Sequence, residues 1–442
     1  MLSLFVQLLP AEFFNQIQLL QKRQNNRVYT TAVVIWLMIE QRLHSHATME
    51  TAVLTLLRSM PADFWPRPCK RLVRQSEPQA QKLSSNTGAY NQARQAMSLT
   101  TVEQSCDHVF QQLTEQATGR LAEVEQRAFF FDGTAVRLPN NEALCAAYPL
   151  GSNQFSESHW PLIRMLVAHD LYTGLAMRPE WGPMHGSQAV SEQGLLDVSI
   201  ERLPSGAVIV GDANFGVFSV VYAADQCGHP VAVRLTMSRA KRLAGGQPFQ
   251  HGIDRPIEWR PSRDDRKSHP QTPVDASVAG RLIVWEVTPS HGQPFLLALF
   301  TTLKCSPEKV VELYGYRWNI ETDLRSLKGT LNLDQLTCTS TEMVAKEINL
   351  AIMAYNLVRA ITYQAAQKVG LTPREFSFTR VSNVVNAYAP LIAVADEQHS
   401  KKLIDDMMYY VGQAKLPRRK KERSSYPRAV WGKPGKYPKR KS

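Results

Sequence analysis

The spacing of apolar and polar residues divides the chain into a helical beginning, a middle that mixes strands with helices, and a helical end. Up to about residue 120, segments such as FFNQIQLLQ and TTAVVIWLMIEQ have the apolar spacing or the length of helices. After about residue 127, shorter apolar runs bounded by turn residues indicate strands, and RAFFFDGTAVRL is the first of them. The pattern predicts an α/β protein that begins with a helical domain.

The middle of the chain shows a definite order of elements. After the first strand, WPLIRMLVAHDLYTGLAMRPEWG is typical of two strands joined by a D-x-x-T-G turn, Asp170 to Gly174. SQAVSEQGLLDVSIERL predicts a helix with Ser187 as a candidate N-cap, and AVIVGD predicts a buried strand. A helix over GVFSVVYAADQCG and a strand over HPVAVRLTM follow. The order β-β-β-α-β-α-β is that of a ribonuclease H-like domain.

The remaining segments complete a division of the chain into five parts. Residues 238 to about 280 are polar, and strands over RLIVWEVTPS and PFLLALFTTL follow them. We predict one long helix over SPEKVVELYGYRWNIETDLRSLKGTL and a second, buried helix over EMVAKEINLAIMAYNLVRAITYQAAQ. The predicted parts are a helical N-terminal domain (1–120), a ribonuclease H-like core in two pieces (121–237 and 303–400), a β-rich insertion (238–302) and a basic tail (401–442).

The positive charge of the chain is concentrated at its end. The formal net charge is +12, and residues 415–442 hold twelve Lys or Arg and one Glu, which is +11 in 28 residues. A segment with so few aliphatic residues cannot bury a core, and its cations can neutralise DNA phosphates. We expect DNA contacts from Arg418, Arg419, Lys420 and Lys421, with interleaved aromatic residues that can stack on bases. A solubility tail is the alternative.

A second basic segment lies in the N-terminal domain. The stretch RPCKRLVRQSEPQAQKLSSNTGAYNQARQAM is rich in Arg and Lys and is interrupted by Ser and Asn. We expect the helical N-terminal domain to bind DNA through such a surface. A helical bundle without DNA contact is the alternative.

Several classes of protein are disfavoured by what the sequence lacks. No run of about 18 apolar residues occurs, so no membrane-spanning helix is predicted. The N-terminus shows neither the basic region nor the cleavage site of a signal peptide. The six cysteines form no CxxC pair, which argues against a zinc ribbon or a disulfide scaffold and favours a reducing compartment. We therefore expect a cytoplasmic protein.

A polar stripe runs along the predicted long helix. At about 100° per residue, Tyr314, Arg317, Glu321 and Lys328 lie within about 60° of arc, beside an apolar seam. Surface charges would be expected to scatter more widely. The spacing of Arg317 and Glu321 also permits an i,i+4 ion pair, so a surface ion pair stays open as the alternative.

Two aspartates lie at the ends of apolar runs, Asp132 in AFFFD and Asp212 in AVIVGD. Burying a carboxylate is costly unless it is paired or bound to a metal ion. Two strand-borne aspartates and the helix-borne Glu321 can converge at the edge of a sheet, and their oxygens suit Mg²⁺ or Mn²⁺ rather than zinc. Two such ions about 3.5–4 Å apart can activate a water or a 3′-hydroxyl and stabilise the leaving oxygen in a phosphoryl transfer.

The four stripe residues fit the pattern Y-x2-R-x3-E-x6-K, which resembles the signature helix of the IS4-family DDE transposases, relatives of the Tn5 and Tn10 enzymes. The segments DGTAVRLP and GDANFG resemble the regions of the family's first and second aspartates. The β-rich insertion before the glutamate resembles the family's insertion too. The resemblance covers roughly residues 125–365, and residues 1–120 resemble the family's N-terminal region only loosely.

The resemblance implies an activity and a role for each candidate residue. Asp132, Asp212 and Glu321 would be catalytic and would bind Mg²⁺, with Mn²⁺ as a substitute and two ions in the site. Tyr314, Arg317 and Lys328 would hold DNA near the transposon end. The protein would bind the terminal inverted repeats of its insertion sequence, cleave the DNA and join the 3′-hydroxyl ends to target DNA.

The same resemblance implies partners and a location. Double-stranded DNA, as transposon ends and as target, would be bound by a homodimer on paired ends. The site of action would be the nucleoid in the bacterial cytoplasm. Two alternatives stay open, a nuclease of the same fold that cleaves without strand transfer and a non-catalytic DNA-binding regulator derived from a transposase. A basic globular protein with a fortuitous helix is a third.

Single residues near these motifs have plainer interpretations. We expect Trp318 to pack and Asp170 to form its turn. For Asn214 two roles are open, supporting the metal ion and capping a helix, and we favour the cap. His169 and His185 lack ligand spacing around them, so we expect no metal binding from either.

Overall fold

The computed structural model describes residues 1–19, 28–44, 48–58, 69–74, 77, 82–152, 157–247, 249–288, 293–334 and 336–416. By their contacts these residues divide into two units. The first unit consists of Met1–Phe131, Val167–Pro179 and Trp318–Leu416, and the second consists of Asp132–Leu166 and Glu180–Arg317. The predicted five-part division rests on sequence pattern rather than on contacts, and it stays a prediction.

Helices make up the beginning of the first unit. They are α1 (Leu2–Leu8), α2 (Ala11–Leu19), α3 (Thr31–Leu43), α4 (Met49–Arg58), α5 (Lys70–Val73), α6 (Gly88–Ala96) and α7 (Leu99–Gln116). The hydroxyl of Ser98 begins α7 by accepting a hydrogen bond from the N–H of Thr101, 3.1 Å away. Helix α3 is apolar on nearly every side and is buried. The predicted helical character is confirmed for the described residues of this region.

Eight strands form one mixed sheet. They are β1 (Ala128–Arg137), β2 (Leu162–Asp170), β3 (Glu180–Pro183), β4 (Val208–Gly211), β5 (Val231–Arg234), β6 (Ile253–Trp259), β7 (Val278–Val287) and β8 (Phe295–Thr301). Their order across the sheet is β3-β2-β1-β4-β5-β8-β7-β6. Strands β4 and β5 are parallel, whereas β2 with β3, β5 with β8, β6 with β7 and β7 with β8 are antiparallel. The predicted α/β class is confirmed.

Short helices connect the strands of the second unit. They are α8 (Glu142–Ala147), α9 (Glu192–Ile200), α10 (Phe218–Gln226), α11 (Met237–Leu243) and α12 (Arg263–Ser268). The predicted N-cap of α9 is wrong, because Ser191 and not Ser187 accepts the hydrogen bond from Gly194 N, at 3.0 Å. The N–H of Val190 is bonded to the carbonyl of Pro183, 2.9 Å away. This pairing holds the chain outside the helix until Ser191.

The predicted β-rich segment extends the sheet beyond β5. Strands β7 and β8 confirm the predictions over RLIVWEVTPS and PFLLALFTTL, and Thr301 of β8 lies opposite both Arg281 and Ala232. Part of the predicted turn between them, at 289–292, lies outside the described residues.

The prediction of one long helix over residues 306–331 is wrong. Helix α13 (Pro307–Gly315) ends before α14 (Trp318–Arg325) begins, and a π-helical turn, Ser326–Thr330, follows. At the break, the N–H groups of Tyr316 and Arg317 bond to carbonyls three residues back, at 3.3 and 3.0 Å. These tighter bonds end the i to i−4 ladder next to Gly315, a residue with low helix propensity. The stripe calculated for a continuous helix therefore does not extend past this point.

The first unit closes with the predicted buried helix and two shorter ones. Helix α15 (Thr341–Lys368) is buried along most of its length, which confirms the prediction. A 3₁₀ turn (Pro373–Glu375), α16 (Phe378–Ile392) and α17 (Glu397–Gln413) follow. Within the described part of the chain, no helix has the length and apolar character needed to span a membrane.

Candidate active site

Asp132 lies on β1, where the strand passes from buried to half-buried residues. Its Oδ1 accepts a hydrogen bond from the N–H of Gly133, 2.9 Å away. The pKa of the Asp132 carboxyl is raised to about 6, chiefly by burial and to a smaller extent by the charges of Asp212 and Glu192, while the Gly133 N–H and Arg317 act to lower it. A nearby cation would relieve the cost of ionising this carboxyl.

Asp212 directly follows β4 and organises a tight turn. Its Oδ1 accepts from Asn214 N at 2.9 Å, and its carbonyl oxygen accepts from the N–H groups of Phe215 and Gly216, both at 3.1 Å. A Cβ on Gly216 would lie 1.9 Å from the carbonyl oxygen of Arg234. Glycine in GDANFG therefore lets this turn approach β5 closely.

Glu192 is a member of this cluster that the sequence analysis missed. Its Oε2 accepts a hydrogen bond from Asn214 Nδ2 at 2.6 Å, and a Cβ on Gly133 would lie 2.0 Å from its Oε1. The predicted helix cap at Asn214 is thus wrong, since its amide bonds Glu192 while Val217 precedes α10. The available sequence signal was the acidic residue directly after the Ser191 cap, a place where glutamates are common for helix stability alone.

Tyr314 and Arg317 lie at and just after the end of α13. Tyr314 is only 6% exposed, and burial raises the pKa of its hydroxyl against the charges of Arg317 and Arg234. Arg317 also acts electrostatically on Asp132. The second unit thus brings together four of the residues that the sequence predicts for the site, namely Asp132, Asp212, Tyr314 and Arg317.

Glu321 and Lys328 belong to the first unit. Glu321 is half-buried in the first turn of α14, where the helix dipole favours a carboxylate, and Lys328 is half-buried in the π-helical turn. Trp318 begins α14 with 64% of its surface exposed, so most of its side chain is not buried. The predicted tail contacts at Arg418, Arg419, Lys420 and Lys421 lie outside the described residues.

The turn predicted for Asp170 is confirmed. Its Oδ1 accepts hydrogen bonds from the N–H and the hydroxyl of Thr173, at 2.5 and 2.7 Å. Gly174 completes the turn with a φ of 82°. Asp170 also pairs with Arg127 at 2.8 Å, so it is a structural carboxylate of the first unit.

Comparison with known proteins decides the family. A family model described as "Transposase DDE domain" matches residues 124–357. The chain belongs to the DDE transposase family. A curated relative, the transposase InsG of insertion sequence element IS4 from Escherichia coli strain K12, is 25% identical over 311 residues, which are 70% of this chain and 68% of that protein. The resemblance to IS4-family DDE transposases is confirmed.

The matched region of this transposase contains every candidate residue from Asp132 to Lys328. It excludes helices α1 to α7 and the basic tail. Membership of the family implies metal-dependent chemistry on DNA, because DDE transposases generally use divalent metal ions.

The carboxylates of the transposase fit such ions in part. Across the described ranges, no group of three or more His, Cys, Asp or Glu side chains is placed to hold an ion. Asp132 and Asp212 nevertheless offer the carboxylate oxygens that Mg²⁺ prefers. The pKa of Asp132 is raised to about 6, chiefly by burial and in part by the charges of Asp212 and Glu192, and a cation beside these carboxylates would act to lower it.

Proposed function

We propose that this transposase binds the terminal inverted repeats of its own insertion sequence, cleaves the DNA there and joins the 3′-hydroxyl ends to target DNA. The observation that carries the proposal is the juxtaposition of Asp132, on β1, and Asp212, directly after the neighbouring strand β4, in a chain of the DDE family.

The strand order supports a ribonuclease H-like core. The first five strands lie in the order 3-2-1-4-5, with β2 and β3 antiparallel and β4 parallel to β5. Strands β6 to β8 would then be the β-rich insertion between the second aspartate and the glutamate. Strands β1 and β4 are neighbours in this sheet, and each aspartate directly follows a run of buried residues, Ala128–Phe131 for Asp132 and Val208–Gly211 for Asp212.

We assign the metal ligands to Asp132, Asp212 and Glu321, and the ions to Mg²⁺ with Mn²⁺ as a substitute, two per site. A bound pair of such ions supplies Lewis-acid and hydroxide chemistry for phosphoryl transfer. The protein's own contribution is to fix the carboxylates, through the hydrogen bonds from Gly133 N–H to Asp132 Oδ1 and from Asn214 N–H to Asp212 Oδ1. Each of these hydrogen bonds restricts the carboxylate that it holds.

The basic residues would hold the DNA. Arg317 would grip a phosphate with its planar fork, and Lys328 would act as a point charge. Tyr314 would touch DNA only through the small exposed part of its side chain. The tail residues Arg418, Arg419, Lys420 and Lys421 would add contacts to phosphates.

The proposal extends to assembly and location. Two copies of the chain would act as a homodimer on paired transposon ends, with double-stranded target DNA as the second substrate. The work would take place on nucleoid DNA in the bacterial cytoplasm.

A cleavage and joining assay tests the proposal. An end-labelled duplex with the terminal repeat that flanks the coding sequence is incubated with unlabelled target duplex and Mg²⁺ or Mn²⁺. We expect cuts at the repeat end and labelled products longer than the substrate, neither of which forms with a scrambled repeat. Cleavage without joining would indicate a nuclease of the same fold, and binding without either reaction would indicate a regulator; both results would overturn the proposal.

A further inference from the structure

Asp323 is a buried carboxylate on the helix that carries Glu321. It lies two residues after Glu321 in α14 and has no exposed surface. Its Oδ1 is bonded to Arg359 of α15, and its Oδ2 lies 2.6 Å from Nη1 of Arg374. Both oxygens of Asp323 are thus held by guanidinium groups from other elements of the first unit.

Arg374 carries this connection on to the sheet. Its Nε donates to the carbonyl of Leu171 at 2.9 Å, and its Nη2 donates to the carbonyl of Asp170 at 2.6 Å. The N–H of Leu171 in turn donates to the carbonyl of Ala128, at the start of β1, at 2.8 Å. Within the first unit, a continuous chain of polar contacts therefore runs from α14 to Ala128, the first residue of β1.

Arg359 fixes the other side of Asp323. Its Nε donates to the hydroxyl of Tyr355 at 2.8 Å, and its guanidinium lies over the rings of Tyr355 and Phe378 at 5.2 and 5.3 Å. A Cβ on Gly174 would lie 2.8 Å from Arg359 and 2.9 Å from Arg374. The D-x-x-T-G turn therefore leaves just enough room for both guanidinium groups.

Helix α14 depends on contacts with other elements to hold its position. It has eight residues, and it is interrupted at one end and continued by a π-helical turn at the other. A helix this short has little stability of its own. The buried Ile320 and Leu324 determine which face of α14 packs against the protein. Apolar contacts are not directional, so they do not fix the exact position of the helix. The hydrogen bonds from two guanidinium groups to one carboxylate are directional. They therefore define both the rotation of α14 about its axis and its position along that axis.

Energetics agree with a positioning role. A buried ion pair contributes little more to stability than well-packed apolar residues of similar volume would. The ion pair instead restricts the geometry, because the hydrogen bonds of the carboxylate are complete in only one arrangement. We propose that Asp323, together with Arg359 and Arg374, is a positioning residue that fixes the placement of α14 and thereby of Glu321. This inference rests on the proposed catalytic role of Glu321.

The test compares three variants of the full chain. Arg374→Lys keeps the positive charge but loses the fork that reaches two carbonyls and the carboxylate. Asp323→Asn keeps the size and removes the charge. Glu347→Gln is the matched control, since Glu347 is a buried carboxylate held by Arg42 and Arg94 that serves α3, α6 and α15 rather than α14.

Two readouts separate positioning from a general loss of stability. Hydrogen exchange of the metal-free protein measures local opening of residues 318–330 against that of α3 and α6. Cleavage at saturating repeat DNA and metal measures the reaction, and binding of the repeat without metal measures DNA affinity.

We expect Arg374→Lys to speed exchange in 318–330 selectively and to lower the cleavage rate by about 10–100-fold, because small misplacements of a reacting group have effects of that size. Repeat binding should stay within about twofold. Glu347→Gln should instead speed exchange in α3 and α6 and leave cleavage by the folded protein unchanged. Asp323→Asn should match Arg374→Lys wherever it folds.

The inference is overturned if Arg374→Lys leaves exchange in 318–330 at the wild-type rate, or if it cleaves no worse than Glu347→Gln. Its failure is distinguishable from failure of the proposed function. If Glu321→Gln abolishes cleavage while Arg374→Lys does not impair it, Glu321 is catalytic and the positioning role is wrong. If Glu321→Gln cleaves normally, the proposed function itself fails.

Discussion

The carboxyl pKa values of Asp132 and Asp323 are shifted in opposite directions. Burial, with a smaller contribution from the neighbouring carboxylates, raises the pKa of Asp132 to about 6. Burial alone would also raise the pKa of Asp323, but the charges of Arg374 and Arg359 outweigh it and lower that pKa to about 2. Asp132 therefore gains from an added cation, whereas Asp323 already has its cations within the protein.

The first prediction concerns the acid stability that Asp323 provides. Its pKa of about 2 in the folded protein lies below the ordinary 3.8, so its stabilisation is complete above about pH 4 and is lost as the pH falls towards 2. Asp323→Asn should lower the free energy of unfolding at pH 7 by about 3–5 kcal/mol, and by progressively less below pH 4. Urea unfolding across this pH range measures both. A constant difference at all pH values would contradict the account, and the exposed Asp405→Asn serves as the control.

The second prediction concerns the cluster around Asp132. Glu192→Gln removes a negative charge that raises the pKa of Asp132, so that pKa should fall towards the ordinary value of 3.8. A ¹³C NMR titration of the aspartate carboxyls in the metal-free protein follows the change. Glu201→Gln, at the exposed far end of α9, should leave the Asp132 titration where it is. An unchanged Asp132 titration in Glu192→Gln would show that the two carboxylates do not interact.

Among the elements of the fold, strands and turns place Asp132 and Asp212, and the end of helix α13 separates Tyr314 from the residues of α14. Asp132 and Asp212 come from adjacent strands, and the turn after β4 packs against β5 through Gly216. The break after Gly315 ends α13 at the place where Tyr314 and Arg317 lie. The four signature residues therefore come from helix α13, the turn that follows it, helix α14 and the π-helical turn, rather than from one continuous helix.

The third prediction tests the close approach of the turn after β4. Gly216→Ala should lower the free energy of unfolding by about 1–3 kcal/mol, because its Cβ would meet the backbone carbonyl of Arg234 at 1.9 Å. Gly315→Ala is the matched control, since its Cβ would meet nothing within 4 Å and it should stabilise the protein by about 0.5–1 kcal/mol. Thermal or urea unfolding of both variants measures the difference. Equal stabilities would refute the close approach seen at Gly216.

Much of this level could be predicted from the sequence. Apolar runs located β1 and β4, and hence Asp132 and Asp212, because a carboxylate at the end of a buried run is conspicuous. The length and apolar character of α15 made it predictable as a buried helix. The break after Gly315 could not be predicted, because a glycine within a helix costs only about 1 kcal/mol and the apolar spacing continues through it.

The partners of these residues were harder to predict. Glu192 stands in the first turn of a helix, where sequence alone gives it an ordinary stabilising role, and only the fold brings it next to Asp132. The hydrogen bonds of Asp323 with Arg359 and Arg374 join residues 36 and 51 positions apart. No local pattern reports such a pairing.

At the scale of the whole molecule, charge is distributed unevenly. The net charge is +12, and residues 415–442 alone carry +11. The rest of the chain is nearly neutral, so electrostatic attraction to DNA should depend strongly on this tail.

The fourth prediction follows from that distribution. Removing residues 417–442 keeps the hydrogen bond between Leu416 N and Glu375 O, so we expect the free energy of unfolding to stay unchanged. Repeat binding should weaken, and the slope of log affinity against log salt should flatten by about 0.9 for each phosphate that the tail no longer neutralises. A second variant that keeps the length but replaces the tail's Lys and Arg with Ser should behave like the truncation. An unchanged salt slope in either variant would show that the tail does not bind phosphates.

The central claim is that Glu321 completes a catalytic set with Asp132 and Asp212. The most direct test is cleavage and strand transfer of the terminal-repeat duplex, with Mg²⁺ or Mn²⁺, by wild type, Glu321→Gln and the control Glu312→Gln, which alters an exposed glutamate of α13. We expect Glu321→Gln to slow both reactions by about 100-fold or more while it still binds the repeat, and Glu312→Gln to keep both. Equal activity of Glu321→Gln and wild type would contradict it and would make Glu321 a surface residue of α14.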